Sequence, residues 1–165
     1  PIKSALEIRL STANRKTTDT QTAQSLFLLK GTKRINLNAK NSLYVRFHAQ
    51  AIESETYLSN ELIRFGGINS IRGFEENSID ATRLGVLASE YRYQLSPNLY
   101  IHSIIDAAYF ESPSLDHQKL YGFGVGFGLR TEAGLLKFIL ANGKTEAQNF
   151  KFSESKVHLS ITASF

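Results

Sequence analysis

The sequence predicts an all-β protein, an antiparallel transmembrane β-barrel of eight strands. Three observations predict this class. Apolar and polar residues alternate with a period of two over most of the 165 residues. The alternating segments have roughly the length, about 9–11 residues, that spans a bilayer in a barrel. Long and short connections also alternate along the chain, as they do between the two rims of outer-membrane barrels.

Composition restricts the class of protein and the kinds of site. The net charge is +4, but Lys and Arg are scattered and form no basic run, so nucleic acid is not an expected partner. The absence of Cys excludes disulfides and thiolate metal sites. A mean hydropathy of −0.20 would suit a soluble protein, yet it is compatible with a membrane barrel, in which only every second residue faces lipid. The length predicts one domain, and the abrupt start inside a strand indicates a piece of a longer protein.

Eight strands are predicted, at 5–11, 24–38, 43–52, 83–95, 99–110, 120–130, 135–142 and 157–165. The long connections are 12–23, 53–82, 111–119 and 143–156, and we expect them at one rim. The short connections, expected at the opposite rim together with Phe165, are 39–42, 96–98 and 131–134.

One face of the predicted strands is apolar and is expected to form a continuous outward band. Its clearest members are Phe47, Phe123, Val125, Phe127, Leu159 and Ile161. A soluble β-sandwich is the alternative, and it would bury this band between two packed sheets. In the barrel, the strands at 5–11 and 157–165 would be free edges unless a missing half-barrel or a second chain pairs with them.

The connection at 53–82 is the longest interruption between strands. It contains three glycines that permit sharp turns, Gly66, Gly67 and Gly73. Its apolar residues, which follow no strand or helix period, include Ile68, Ile71 and Phe74. Connections longer than about 12–15 residues are usually functional or disordered, and this one is too apolar to be disordered. We therefore predict a loop that folds back into the barrel and places Arg72 inside, the alternative being an ordinary surface loop.

Two carboxylates are the predicted partners of Arg72. Glu90 and Asp106 fall on the inward faces of neighbouring predicted strands, and an arginine–carboxylate pair can be bidentate and charge-assisted. A glycine strand completes the candidate site with Gly122, Gly124, Gly126 and Gly128, followed by Arg130. Its missing side chains would leave room for the loop, or would allow the sharp curvature that closes a barrel.

The histidines and tyrosines give weaker candidates. His102 and Asp106 share one face of a strand but lie about 13 Å apart, too far for a direct catalytic pair. His48 and His158 lie on the inner faces of different strands, where a metal site is not expected. A tyrosine cluster near the turn at 96–98 suggests an aromatic girdle or packing across a hairpin; it consists of Tyr91, Tyr93 and Tyr100.

The segment Asn60–Phe74 resembles the signature loop of BamA- and TamA-type outer-membrane assembly barrels, the bacterial surface antigen superfamily. In that superfamily a [VI]-R-G-[FY] motif, here Ile71–Phe74, folds into the lumen of a sixteen-stranded barrel. Further matches follow in the family's order, at Glu90, at Asp106, in the glycine strand up to Arg130, and at the terminal aromatic Phe165. The family's glycine after the aspartate is an alanine here. By strand count, the chain resembles the C-terminal half of such a barrel.

The resemblance implies a non-enzymatic component of a machine that inserts or translocates proteins in the bacterial outer membrane, with no cofactor. A seam between the first and last barrel strands would pair with a client strand, and the loop with Arg72 would brace the lumen wall. The implied partners are outer-membrane lipid, client proteins, and the missing N-terminal half-barrel with its POTRA domains. Two alternatives stay open: a two-partner-secretion-type export pore, and the membrane-anchor barrel of a patatin-like phospholipase.

Overall fold

A computed structural model describes residues 4–16, 21–146 and 151–163. The strands are β1 (Ser4–Lys16), β2 (Gln21–Asn36), β3 (Asn41–Ser54), β4 (Ile63–Phe65), β5 (Ile79–Ala81), β6 (Arg83–Ser96), β7 (Leu99–Ser112), β8 (Leu115–Thr131), β9 (Gly134–Thr145) and β10 (Lys156–Thr162). One short 3₁₀ helix spans Phe152–Glu154. Within these ranges there is no helix whose length and apolar character would let it cross a membrane.

Eight of the strands form one antiparallel sheet in the order β1-β2-β3-β6-β7-β8-β9-β10. Each strand pairs with its sequence neighbour once the small β4–β5 hairpin is set aside. Connections in such a meander alternate between the two ends of the sheet. The ends of β1, β3, β7 and β9, where the long connections are predicted, therefore lie at one end of the sheet and the short turns at the other, as expected. The all-β class and the eight antiparallel strands are confirmed.

Strands β1 and β10 lie at the two edges of the sheet, and in the described ranges they do not pair with each other. Over those ranges the sheet thus leaves two rows of backbone groups unpaired. This arrangement agrees with the expectation of free edges. It does not show a closed barrel.

The predicted bounds of two long connections are wrong. The predicted loop at 12–23 is mostly strand, because β1 continues to Lys16 and β2 begins at Gln21. The predicted loop at 111–119 is likewise mostly strand, because β8 begins at Leu115. Near these connections the strands carry polar residues on both faces, so the hydropathy pattern shows no alternation there. The backbone ladder continues regardless, since its hydrogen bonds require no apolar side chain.

The predicted apolar band lies on one face of the sheet, which we call the outer face. All six residues named for it are exposed: Phe47, Phe123, Val125, Phe127, Leu159 and Ile161. The register aligns Val125 with Leu140 and Phe127 with Phe138, which continues the band onto β9. The other sheet of the described residues is the β4–β5 hairpin, and it packs on the opposite, inner face. The sandwich alternative, which required a second sheet over the band, is wrong.

The segment 55–82 folds over the inner face and forms the main apolar core with it. The core residues are Ile52, Ile63, Phe65, Ile71, Ala81, Leu84, Val86, Ala108, Phe110 and Leu120. Ile71 is completely buried, and the ring of Phe65 meets that of Phe110 edge to face at 5.2 Å. The segment is therefore not an ordinary surface loop, and apolar burial anchors it to the sheet.

Replacing Phe65 with Ala should release this anchor. Truncating a buried Phe costs about 3–5 kcal/mol, so we expect faster hydrogen exchange of the backbone amides at 66–78 while the long strands stay protected. Leu58→Ala is the matched control, because Leu58 lies in the same segment and is exposed. Equal protection of 66–78 in the two variants would contradict the packing described.

Candidate functional site

Three glycines give the loop the shape that presents Arg72 to the sheet. Gly66, Gly67 and Gly73 have φ angles of 116°, 89° and 91°, in the left-handed region that favours glycine. The Gly67 N–H donates to the carbonyl of Ile71 at 3.0 Å, which closes a tight turn just before Arg72. These glycines therefore allow the sharp turns of the loop backbone that the sequence predicts.

The guanidinium of Arg72 is buried, with 2% of the residue exposed, and binds both predicted carboxylates. Its Nε donates to Oδ2 of Asp106 at 2.7 Å and its Nη2 donates to Oδ1 at 2.5 Å, a bidentate pair. Its Nη1 donates to Oε1 of Glu90 at 2.6 Å. The carbonyl of Ser89 accepts a further bond from Nη2 at 3.1 Å. We call this group of residues the Arg72 clasp.

Asp106 holds the backbone of the loop as well as the side chain. Its Oδ2 accepts from the backbone N–H of Arg72 at 3.0 Å, and its Oδ1 accepts from the N–H of Ser89 at 3.3 Å. One carboxylate therefore fixes both the side chain and the backbone of a single loop residue. A shift of the loop by one residue would break both sets of bonds, so the clasp determines the loop's register on the sheet.

Further cations balance the two buried carboxylates. Oε2 of Glu90 accepts from Nε of Arg92 at 2.7 Å, and Nζ of Lys137 lies 4.0 Å from Oε1. Burial alone would lower the pKa of Arg72, but the hydrogen bond and charge of Asp106, together with the charge of Glu90, raise it above its ordinary value. The guanidinium therefore stays charged inside the protein.

Arg46 is a site residue that the sequence prediction missed. Its Nη2 donates to the carbonyls of Ile68 and Ser70 at 3.3 and 3.0 Å, so a guanidinium from β3 binds the loop backbone just before Arg72. Alternation along β3 does place Arg46 on the inner face. Nothing in the spacing, however, indicates that loop carbonyls would be its partners.

The loop backbone lies directly on glycines of β8 and β9. A Cβ added at Gly122 would lie 2.2 Å from the carbonyl oxygen of Arg72. One added at Gly143, which the sequence prediction also missed, would lie 2.6 Å from the carbonyl oxygen of Gly73 and 2.7 Å from the ring of Phe74. Room for the inserted loop, as predicted, is therefore present at Gly122.

The rest of the glycine strand serves other neighbours, which corrects the prediction. At Gly126 an added Cβ would lie 2.8 Å from Nε2 of His102, and at Gly128 it would lie 2.2 Å from the ring of Tyr100. At Gly124 the nearest atoms belong to Leu140 and Ala141 of β9. Arg130 is exposed and does not reach the clasp. These glycines accommodate the adjacent strands rather than the loop.

The loop also contacts the last strand. The backbone N–H of Gly73 donates to Nε2 of His158 at 3.2 Å. Nζ of Lys156 donates to Oε1 of Glu75 at 2.7 Å, and this bond lowers the pKa of Glu75. The position of the loop is thus coupled to an edge strand of the sheet. Phe165, the predicted end of that strand, lies outside the described residues.

The other predicted candidates do not assemble into a reactive group. Both ring nitrogens of His102 are buried and have no hydrogen-bond partner in the described structure. His48 bonds with Gln50, and His158 binds the loop. In the ranges the structure covers, no three metal-ligating side chains meet. Tyr100 lies on the inner face against Gly128, so the three-tyrosine girdle is wrong at that position.

Comparison with protein-family models gives no match to the chain, and comparison with curated protein sequences gives none either.

Arg72→Ala should leave the buried carboxylates of Asp106 and Glu90 without their arginine partner and loosen the loop. Removing one partner of a buried ion pair costs about 3–5 kcal/mol, so we expect hydrogen exchange and protease cleavage at 66–78 to rise strongly while the sheet still forms. Asp106→Asn should act in the same direction but more mildly. Arg64→Ala is the control, because Arg64 is an exposed arginine of the same loop. Wild-type protection in Arg72→Ala would contradict the clasp.

Gly122→Ala should displace the loop by steric overlap alone. The added methyl group would meet the carbonyl of Arg72, and overpacking of this kind costs about 1–3 kcal/mol. Gly85→Ala is the control, since nothing lies within 4 Å of a Cβ at Gly85 on β6. Protection of the loop amides from hydrogen exchange should fall only in the Gly122 variant. An equal loss of protection in both variants would show that the loss of a glycine from a strand, and not contact with the loop, causes the effect.

Proposed function

We propose that the chain is part of a β-barrel in the bacterial outer membrane, the C-terminal half of a BamA- or TamA-type barrel that inserts or translocates other proteins. The observation that carries the proposal is the Arg72 clasp. The Ile71–Phe74 motif lies on the inner face, and its arginine binds Glu90 and Asp106, two residues at positions that match the family's pattern. The clasp holds a loop in place and requires no cofactor.

The outer face supports the membrane part of the proposal. Large apolar side chains are exposed along the long strands from β1 to β10, and the most exposed on the two edge strands are Leu6, Ile8, Leu10, Leu159 and Ile161. Soluble monomers rarely expose contiguous apolar patches of more than a few hundred Å². A lipid bilayer would cover this face and leave the inner face to water and to the loop.

The two edges of the sheet support the assembly part. Unpaired strand edges are templates for pairing with another strand, and here they would pair with the other half-barrel or with a client strand. The loop contacts β10 through His158 and Lys156, so the loop that the clasp holds also braces one of these edge strands. A braced edge presents a fixed register to the strand that pairs with it.

Depletion of the native protein that carries this chain tests the proposed function. We expect folded outer-membrane β-barrel proteins to decrease, measured by their heat-modifiable migration in gels. Wild-type protein and the Arg64→Ala variant should restore them, whereas Arg72→Ala should not. Normal barrel levels together with loss of one exported protein would instead identify a secretion pore, and loss of phospholipid hydrolysis would identify an enzyme anchor.

Membrane location is tested separately by fractionation. We expect the native protein in the outer-membrane fraction, resistant to extraction with urea or carbonate. Recovery in a soluble fraction without detergent would contradict the proposal whatever the result of depletion.

A further inference from the structure

Five neighbouring strands place alternating arginines and tyrosines at one end of the inner face, the end nearest the short turns. From β2 to β8 these residues are Arg34, Tyr44, Arg92, Tyr100 and Arg130. We call this set the arginine arc. It lies beside the Arg72 clasp, and among the described residues the ion pair of Arg92 with Glu90 connects the two sets.

The tyrosine rings hold the central guanidinium of the arc. Cζ of Arg92 lies 4.4 Å from the ring centroid of Tyr44 and 5.1 Å from that of Tyr100, within the range of cation–π contacts. The three arginines and Tyr100 line a cavity of about 220 Å³ together with Gln94, Pro97 and Asn98. The cavity is large enough for a small polyatomic ion.

Residues that line this cavity carry hydrogen-bond donors without protein partners. Nε of Arg34 and the hydroxyl group of Tyr100 are buried, and in the described part of the chain neither has a hydrogen-bond partner. The side chain of Arg130 likewise forms no hydrogen bond or ion pair with the described residues, although its backbone N–H binds Asn98. Buried donors without acceptors are rare in native proteins, and a bound acceptor group would satisfy them.

The positive charge of the arc also favours a bound anion. Of its three guanidinium groups only that of Arg92 has a carboxylate partner among the described residues, Glu90, and this carboxylate also binds Arg72. Like charges in close proximity are unfavourable unless an anion lies between them. The cavity therefore combines excess positive charge with unused donors.

We propose that the arginine arc binds a phosphate-type oxyanion. A tetrahedral phosphate has enough acceptor oxygens to bind Arg34, Tyr100 and Arg130 at once, and guanidinium groups match phosphate oxygens in bidentate geometry. A planar carboxylate has two oxygens and would satisfy fewer of these donors. The phosphate group is either free in solution or part of a lipid headgroup at the rim. The site does not depend on the function proposed above.

Titration of the full chain with inorganic phosphate tests the proposal. The protein is prepared in maltoside micelles without phosphate, and binding is followed by calorimetry and by the thermal unfolding midpoint. We expect saturable binding that raises the midpoint. In the Arg34→Gln/Arg130→Gln double variant the dissociation constant should rise by about tenfold or more, as loss of charge-assisted hydrogen bonds implies. Lys33→Gln removes one charge beside Arg34 on the opposite face and should leave binding within about twofold.

A second arm identifies the source of the phosphate group. Competition by short-chain phosphatidylglycerol would identify a lipid headgroup, and phosphate binding that this lipid does not displace would identify a free anion. Folding of the double variant is checked by circular dichroism, and its midpoint without phosphate should not fall, because neither guanidinium has a partner among the described residues to lose. No saturable binding of either ligand, or equal binding by the double variant and the Lys33→Gln control, would overturn the proposal.

Discussion

A buried arginine determines how the long loop lies on this sheet. The guanidinium of Arg72 can exist in the interior because Asp106, Glu90 and the Ser89 carbonyl together accept its hydrogen bonds. Buried ion pairs often add little net stability compared with apolar packing, yet breaking one by removing a partner is strongly destabilising. The clasp is therefore best understood as a device that specifies one position of the loop. Stability of the loop comes mainly from Phe65, Ile71 and the core around them.

The clasp lies between an apolar and a charged region of the inner face. Toward the end with the long connection, the inner face is apolar and is filled by the loop, through contacts of Phe65 with Phe110 and neighbouring core residues. Toward the end with the short turns it is polar and charged, and it contains the cavity of the arginine arc. Arg72 lies at the boundary, where its partner Glu90 and the neighbouring Arg92 connect the two regions. The outer face is apolar over the middle of the strands, and at the end with the long connection it bears the exposed ion pairs of Arg83 with Glu53 and Glu111.

Much of this arrangement could be predicted because side chains alternate strictly along a strand. That rule places Glu90 and Asp106 on the face opposite Phe123 and Val125, and an apolar loop without a period must pack against something. The extension of the β1–β2 hairpin could not be predicted, since its polar ends have no hydropathy period. Contacts made by backbone atoms could not be predicted either. The bonds from Arg46 to the loop carbonyls and the contact of Gly143 with the loop depend on the path of the loop backbone, which the residue types do not specify.

The coupling between Arg72 and Asp106 tests most directly whether the clasp holds the loop. A double-mutant cycle would compare wild-type protein with Arg72→Ala, Asp106→Ala and the double variant, using the free energy of local opening measured by hydrogen exchange at the Gly73 amide. We expect a coupling free energy of about 1.5–3 kcal/mol, because the second substitution removes a residue whose partner is already gone. Effects that add to within about 0.5 kcal/mol would show that the two residues act independently, and would contradict the clasp.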